Sequence, residues 1–171
     1  MKIGGNDGRA DKTTNIVNIL DLNIKEWCEI TIQSSRYKGG DCASANLLRF
    51  EHTSKNHILI LGGWQDGDVI KDMWLGTNHE DTIWKFDQKK FTSQELWKER
   101  AYHTSSTIEM DSTHIRVIVF GGYSDCPDTK KPEKYPMLSD TFVFDIKSNG
   151  ANDNSQWMWS IFDGTQEGTS F

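Results

Sequence analysis

Short runs of alternating apolar and polar residues recur along the chain, a pattern typical of β-strands that bury one face. The most apolar run, "IRVIVFGGYSD" at residues 115–125, leads directly into Gly121 and Gly122. The run "ILILGGW" at residues 58–64 has the same form, and "KIGG" at residues 2–5 repeats its end. The first glycines of these three pairs are 58 and 59 residues apart along the chain. We therefore predict a repeated unit built from β-strands.

A second signature follows each double glycine, an alternating segment that ends in aspartate: "NIVNILD", "DTIWKFD" and "SDTFVFD". The aspartates are Asp21, Asp87 and Asp145, and the next tryptophans along the chain are Trp27, Trp97 and Trp157. An earlier strand pattern, "CASANLLRF" or "HTSSTIEM", precedes two of the double glycines. The predicted unit thus has four strands. Strand A is rich in small residues, B runs into Gly-Gly, C ends at the aspartate, and D carries the tryptophan.

This order of features resembles the kelch repeat, which forms one blade of a β-propeller. The resemblance implies an all-β fold of kelch-type blades, each of four antiparallel strands, in an incomplete ring over residues 1–171. Residues 1–33 would end one blade, 34–98 form a second, 99–164 form a third, and 165–171 start the next blade or form a tail. In such a blade the double glycines end strand B, where a Cβ is excluded. They are Gly4, Gly5, Gly62, Gly63, Gly121 and Gly122.

Two local patterns compete with this interpretation. A phosphate-binding turn would need a helix directly after Gly122, but the sequence there is "YSDCPDTKKPEKYP", a proline-rich loop pattern. The segment "TSQELWKER" has Thr92 and Glu95 at the spacing of a helix capping box. The register of Trp97 with the other repeat tryptophans favours strand D there.

The repeated aspartates and tryptophans are expected to be structural. Asp21, Asp87 and Asp145 would cap the turn after strand C by accepting backbone N–H bonds. Trp27, Trp97 and Trp157 would pack between neighbouring blades.

About two and a half blades are predicted, whereas closed propellers have roughly four to eight. An isolated arc leaves strand edges and apolar faces uncovered. We expect the chain to be an internal piece of a larger propeller, a fragment, or a chain that closes by self-association.

The candidate binding residues lie where the B–C and D–A loops meet on one face of the predicted propeller. They are Arg36, Trp64, Asp66, Trp74, Arg100, Tyr123 and Asp125. Trp64 and Tyr123 follow equivalent double glycines, so neighbouring blades should set them side by side. Two alternatives stay open: the stretch 64–80, predicted as a long loop, could fold onto its own blade, and Arg36 and Arg100, assigned to corresponding positions, could bridge blades.

Charge and residue chemistry narrow the function classes. The net charge of −6 argues against nucleic acid and anionic membranes as partners. Cys28, Cys42 and Cys126 show no CxxC spacing, and their odd number together with the absence of an Asn-x-Ser/Thr sequon favours a reducing compartment and a cytoplasmic location. The five histidines form neither HxH nor HExxH, so we predict no metal, no cofactor and no catalytic residues.

The kelch resemblance implies a protein–protein interaction module, an adaptor or scaffold that binds a protein partner through its B–C and D–A loops. The alternative is a fragment of a galactose-oxidase-like propeller enzyme, whose copper site needs Tyr and His ligands gathered across blades. A third possibility is an oligomeric structural element without a ligand.

Overall fold

The structure is a computed structural model that describes residues 2–3, 15–33, 36–51, 53–80, 83–89, 97–124, 137–148 and 156–160. At 2–3, 79–80 and 156–160 the description covers the backbone alone. These residues form twelve β-strands in three sheets and no helix, which confirms the all-β class. Gly4, Gly5, Asp125 and the competing helix pattern at Thr92 and Glu95 lie outside the described residues.

The first sheet is a small antiparallel meander. Its strands are β1 (Lys2–Ile3), β2 (Val17–Asp21) and β3 (Glu26–Glu29), paired in chain order. The carboxylate of Asp21 accepts hydrogen bonds from the backbone N–H of Asn23 at 2.8 Å and of Ile24 at 3.4 Å. Asp21 therefore caps the turn after β2, as predicted.

The second sheet has five strands and includes a hairpin that the sequence did not predict. Its strands are β4 (Thr31–Gln33), β5 (Ser44–Arg49), β6 (Asn56–Gln65), β7 (Asp68–Glu80) and β8 (Ile83–Lys89). They lie in the order β4-β8-β7-β6-β5, with β4 parallel to β8 and the other pairs antiparallel. The second sheet thus takes an edge strand from the range assigned to the first blade.

The long loop predicted at residues 64–80 is wrong, because Asp66 and Gly67 form a two-residue turn between β6 and β7. Their φ angles are 51° and 101°, the left-handed values that hairpin turns of type I′ require. Strand β6 also continues through Gly62 and Gly63, with a register shift between Leu61 and Gly63. This glycine pair therefore forms an irregularity within a strand and does not end it. As a further correction, Trp97 lies outside the strands, and β8 takes the fourth position of the unit.

The third sheet matches the predicted four-stranded unit. Its strands are β9 (Thr104–Asp111), β10 (His114–Phe120), β11 (Thr141–Lys147) and β12 (Gln156–Ser160), an antiparallel meander in chain order. Gly121 and Gly122 follow the end of β10, as predicted. Trp157 lies in β12 opposite Ile146.

The second sheet is buried on both faces because it lies between the other two. Alternate residues of β6 point to opposite sides, so Ile60 joins a cluster with the first sheet while Leu61 joins one with the third. The cluster shared with the third sheet contains Leu48, Phe50, Leu59, Leu61, Met73, Leu75, Trp97, Ile115, Val117, Val119, Phe142, Phe144 and Ile146. The cluster shared with the first sheet contains Val17, Ile30, Tyr37, Ile58, Ile60, Trp74, Trp84 and Phe86.

The tryptophans do not all pack between sheets. The Trp97 ring lies 5.2 Å from that of Phe142 and 5.4 Å from that of Phe144, between the second and third sheets. Trp27 is 57% exposed, which corrects the expectation that it is buried. It lies on the side of the first sheet that faces away from the second, where no described sheet packs against it.

The segment 100–103, which leads into β9, lies between the double glycines of the second and third sheets. A Cβ on Gly62 would be 2.5 Å from the carbonyl oxygen of Arg100, and one on Gly122 would be 2.6 Å from that of Ala101. The N–H of Gly63 also donates to the Arg100 carbonyl at 2.8 Å. The glycines therefore permit a close backbone approach that holds the two sheets together.

Crowding and torsion at Gly122 predict a loss of stability when a side chain is added there. Gly122 has a φ of 95°, so Gly122→Ala carries left-handed strain in addition to the clash with Ala101. We expect this variant to lower the free energy of unfolding by about 2–3 kcal/mol, as measured by chemical denaturation.

Two control glycines separate torsion from crowding. Gly67 has a φ of 101° but nothing within 4 Å of an added Cβ, so Gly67→Ala should cost only about 1 kcal/mol. For Gly40 the nearest atom would be at 3.7 Å, an ordinary contact, so Gly40→Ala should be close to neutral. Equal losses for Gly122→Ala and Gly67→Ala would show that crowding contributes nothing.

Candidate functional site

Three aromatic side chains meet where the second and third sheets approach each other, at the ends that carry the double glycines. The Trp64 and Tyr123 ring centroids are 6.2 Å apart at an interplanar angle of 63°. The Tyr102 ring stacks on Tyr123 at 5.2 Å and 22°. We call Trp64, Tyr102 and Tyr123 the aromatic cluster. Trp64 and Tyr123 are thus side by side, as the repeat spacing predicted.

Equivalent backbone pairs hold the cluster in place. Trp64 exchanges backbone hydrogen bonds with Asp41 at 2.6 and 2.8 Å, and Tyr123 exchanges a pair with Ala101 at 3.0 Å each. The N–H of Tyr102 donates to the carbonyl of Cys42 at 3.0 Å and joins the two units. In both units, the aromatic residue after the double glycine is therefore paired with the segment that leads into strand A.

The same register corrects the prediction that Arg36 and Arg100 occupy corresponding positions. Asp41 corresponds to Ala101, and the next residues, Cys42 and Tyr102, share left-handed φ angles of 54° and 56°. Counting back by one residue, Arg100 corresponds to Gly40. Arg36 is exposed and lies four positions earlier.

Tyr102 is a cluster residue that the sequence reasoning missed. It is 63% exposed, because its left-handed backbone turns the side chain outward between the buried Arg100 and His103. The sequence carried no signal for this position, because the left-handed turn and the burial of its neighbours are visible only in the structure. The sequence interpretation placed Arg100 among the binding residues and gave Tyr102 no role.

The Tyr102 hydroxyl and the Cys42 thiol are hydrogen-bonded, and both stay protonated at neutral pH. The bond to Cys42 is the main reason that the pKa of Tyr102 is raised to about 12. Burial raises the pKa of the Cys42 thiol, the Tyr102 bond partly offsets this, and Asp41 raises it further. The cluster therefore offers flat apolar surfaces and neutral hydrogen-bonding groups to a ligand, with no thiolate.

Arg100 is completely buried, which corrects its assignment to an exposed binding surface. Its guanidinium binds both carboxylate oxygens of Asp140, at 2.8 and 3.0 Å, and donates to the carbonyl of Gly121 at 3.0 Å. It also lies over the rings of Trp97 and Phe142 at 4.6 and 4.5 Å. The backbone of Arg100 bonds to Ile70 and Gly63 of the second sheet, while its side chain bonds to the third. Arg100 therefore bridges the sheets, the structural alternative that the sequence left open.

Two further predicted contact residues lie apart from the cluster. Trp74 is in β7, 8% exposed, and packs edge-on against Tyr37, because the stretch predicted as a loop is a strand. Asp66 is exposed in the turn between β6 and β7. Of the predicted binding residues that the structure describes, Trp64 and Tyr123 are the two whose rings contact each other.

Asp87 and Asp145 lie within strands, so their prediction as turn caps is wrong. Asp87 in β8 pairs with Lys85 at 3.3 Å on an exposed surface. Asp145 in β11 accepts from Arg116 at 2.8 Å and from His114 at 2.9 Å. Burial acts to raise the pKa of Asp145, but the hydrogen bonds from Arg116 and His114 outweigh it and hold this pKa below its usual value.

His103 links the second and third sheets inside the structure. Its Nε2 lies 2.8 Å from the hydroxyl of Ser44, and the residue is 7% exposed. Burial, and secondly the charge of Arg100, lower the pKa of His103 to about 4. The imidazole is therefore neutral at physiological pH.

The described residues contain no group of three or more His, Cys, Asp or Glu side chains placed to hold a metal ion. Nor does this part of the chain include a helix long and apolar enough to cross a membrane. No protein-family model matches the chain, and no curated protein matches it.

The low pKa of His103 predicts acid destabilisation. The unfolded chain binds a proton at His103 below about pH 6.5, whereas the folded chain does so only below about pH 4. Since the unfolded state binds more protons in this window, stability falls as the pH falls. We expect His103 to account for a loss of about 3 kcal/mol between pH 7 and pH 4, measured by denaturation at several pH values.

His103→Gln is the matched variant, because its amide can still reach Ser44 but does not titrate. The variant should lose less stability than the unsubstituted chain over the same pH range. Identical pH profiles for the two proteins would show that His103 is not held neutral by the fold.

Proposed function

We propose that the three sheets are kelch-type propeller blades and that the chain is a protein–protein interaction module. Support comes from the four-stranded meander of the third sheet, the face-to-face stacking of the sheets, and the matching contacts of Gly63 and Gly122. An added Cβ on these glycines would lie 2.7 and 2.6 Å from the carbonyls of Asp41 and Ala101. The unpaired thiols of Cys28 and Cys42 suit a reducing compartment, so we place the module in the cytoplasm.

The aromatic cluster is the surface that we propose binds the partner. Tyr102 is 63% exposed and stacks on Tyr123, which in turn contacts Trp64. Tyrosine and tryptophan dominate binding energy where a partner buries them, because each combines a large flat surface with a hydrogen-bonding group. The adjacency of these three rings from two sheets is the observation that carries the proposal.

An acidic residue beside the cluster indicates the chemistry of the partner. Asp41 pairs with Trp64 through the backbone. Carboxylates at the rim of an apolar patch favour cationic groups and hydroxyls and disfavour anionic partners. We therefore propose an extended segment of a protein partner that carries an apolar or aromatic residue next to a Lys, Arg, Ser or Thr.

The experiment compares the proteins captured from a cell lysate by the unsubstituted chain and by Trp64→Ala and Tyr102→Ala, using quantitative mass spectrometry. Truncating a buried aromatic anchor costs about 1–2 kcal/mol, so retention of a specific partner should fall by roughly fivefold to thirtyfold. Leu22→Ala is the matched control, since Leu22 is 77% exposed in the turn after β2. It should retain the same partners.

Circular dichroism and thermal melting of each variant establish that the fold is intact before capture is compared. Equal retention by all three variants would contradict the assignment of the cluster as the binding surface.

A further inference from the structure

The outward face of the third sheet, which points away from the second sheet, resembles the face of the second sheet that is buried against the third. When the double glycines are superposed, Leu59 and Leu61 of β6 correspond to Ile118 and Phe120 of β10. Leu59 and Leu61 are both 0% exposed because the third sheet covers them. Phe120 is 55% exposed at the equivalent place.

The first strands of the second and third sheets show the same difference in exposure between equivalent apolar residues. Leu48 and Phe50 correspond to Ile108 and Met110 when the segments that pair with Trp64 and Tyr123 are superposed. Leu48 and Phe50 are 0% and 3% exposed, whereas Ile108 and Met110 are 44% and 46% exposed. Apolar residues therefore occupy these four positions too, but here they face outward, beside the ion pair of Arg116 and Asp145 on the same face.

The glycine contacts show the same difference. In the second sheet, Gly62 adopts a φ of 54° and lies against the backbone of Arg100, which belongs to the next unit. Gly121 adopts a similar φ of 66°, but its nearest described neighbour is the Leu138 carbonyl, at 3.2 Å from an added Cβ. Gly121 thus has the conformation that, at Gly62, accommodates a following unit.

The first sheet carries the complementary face at the other end of the stack. Leu20 and Trp27 are opposite each other in β2 and β3, on the side away from the second sheet. Leu20 corresponds to Phe144, which is 1% exposed and contacts Trp97 between the second and third sheets. Trp27 is 57% exposed. The two ends therefore repeat the two sides of an interface that already exists inside the chain.

We infer that the outward face of the third sheet binds the outward face of the first sheet of a second copy of this chain, head to tail. Each such contact joins two different surfaces. A dimer with two-fold symmetry contains the contact twice, so it buries both end sheets of both copies. The new interface buries Phe120 and Ile108 of one copy against Trp27 and Leu20 of the other. This inference does not depend on the aromatic cluster or on its proposed partner.

The test measures mass by light scattering and sedimentation over a range of protein concentrations, with reductant present so that disulfides do not contribute. We expect a concentration-dependent species of twice the 19.6 kDa chain mass. Phe120→Asp and Trp27→Asp should each remove the dimer at concentrations at which the unsubstituted chain is dimeric. Both positions are more than half exposed in one copy, so folding should persist, as checked by circular dichroism.

Mixing the two variants distinguishes a head-to-tail contact from a symmetric one. Phe120→Asp keeps an intact first sheet and Trp27→Asp keeps an intact third sheet, so the mixture should recover association through one contact. Leu22→Asp, at an exposed turn position on neither face, should leave the dimer unchanged.

Three results would overturn the inference. The first is a monomer at every concentration, which would indicate that a different protein, or further sheets of a longer chain, cover this face. The second is a dimer that withstands Phe120→Asp. The third is a dimer lost with Phe120→Asp but kept with Trp27→Asp, since this would indicate contact between two third sheets.

Discussion

The close approach of segment 100–103 to two double glycines is the constraint on which the packing of the second and third sheets depends. The carbonyl of Arg100 would clash with any side chain at Gly62, and that of Ala101 with any at Gly122. Since the segment lies between two β-sheets, its backbone groups need partners there, and Gly63 and Tyr123 supply them. The buried guanidinium of Arg100 adds a second connection through Asp140 and Gly121. One short segment thus fixes the relative position of two sheets.

This constraint also positions the aromatic cluster. The residue that follows each double glycine pairs with the segment leading into its own strand A, so Trp64 and Tyr123 emerge beside one another. Tyr102 joins them because the left-handed turn between Arg100 and His103 directs its side chain outward. The candidate binding surface therefore follows from the way in which the sheets are joined. A change at the glycines would be expected to disturb the fold and the cluster together.

The sequence predicted the third sheet well and the second sheet poorly, for a physical reason. In the third sheet each strand is separated from the next by clear turn or loop signals, so strand count and order could be derived. In the second sheet Asp66 and Gly67 make a hairpin that needs only two residues, and the polar residues around them resembled a loop. The aligned backbone bridges, and not the spacing along the chain, show that Arg100 corresponds to Gly40. The exposure of Trp27 could not be predicted, because it depends on whether another sheet lies beside the first.

Native-state hydrogen exchange at individual backbone amides tests the central claim most directly. The N–H groups of Gly63 and Tyr102 donate across the units to Arg100 and Cys42. If the close approach holds the sheets together, these amides should exchange as slowly as those of the core strand β10, for which we expect exchange by global unfolding. The exposed turn residue Gly67 provides a fast reference. Exchange of Gly63 and Tyr102 at the rate of Gly67, while β10 stays protected, would show that the sheets are not held together there and would contradict the account.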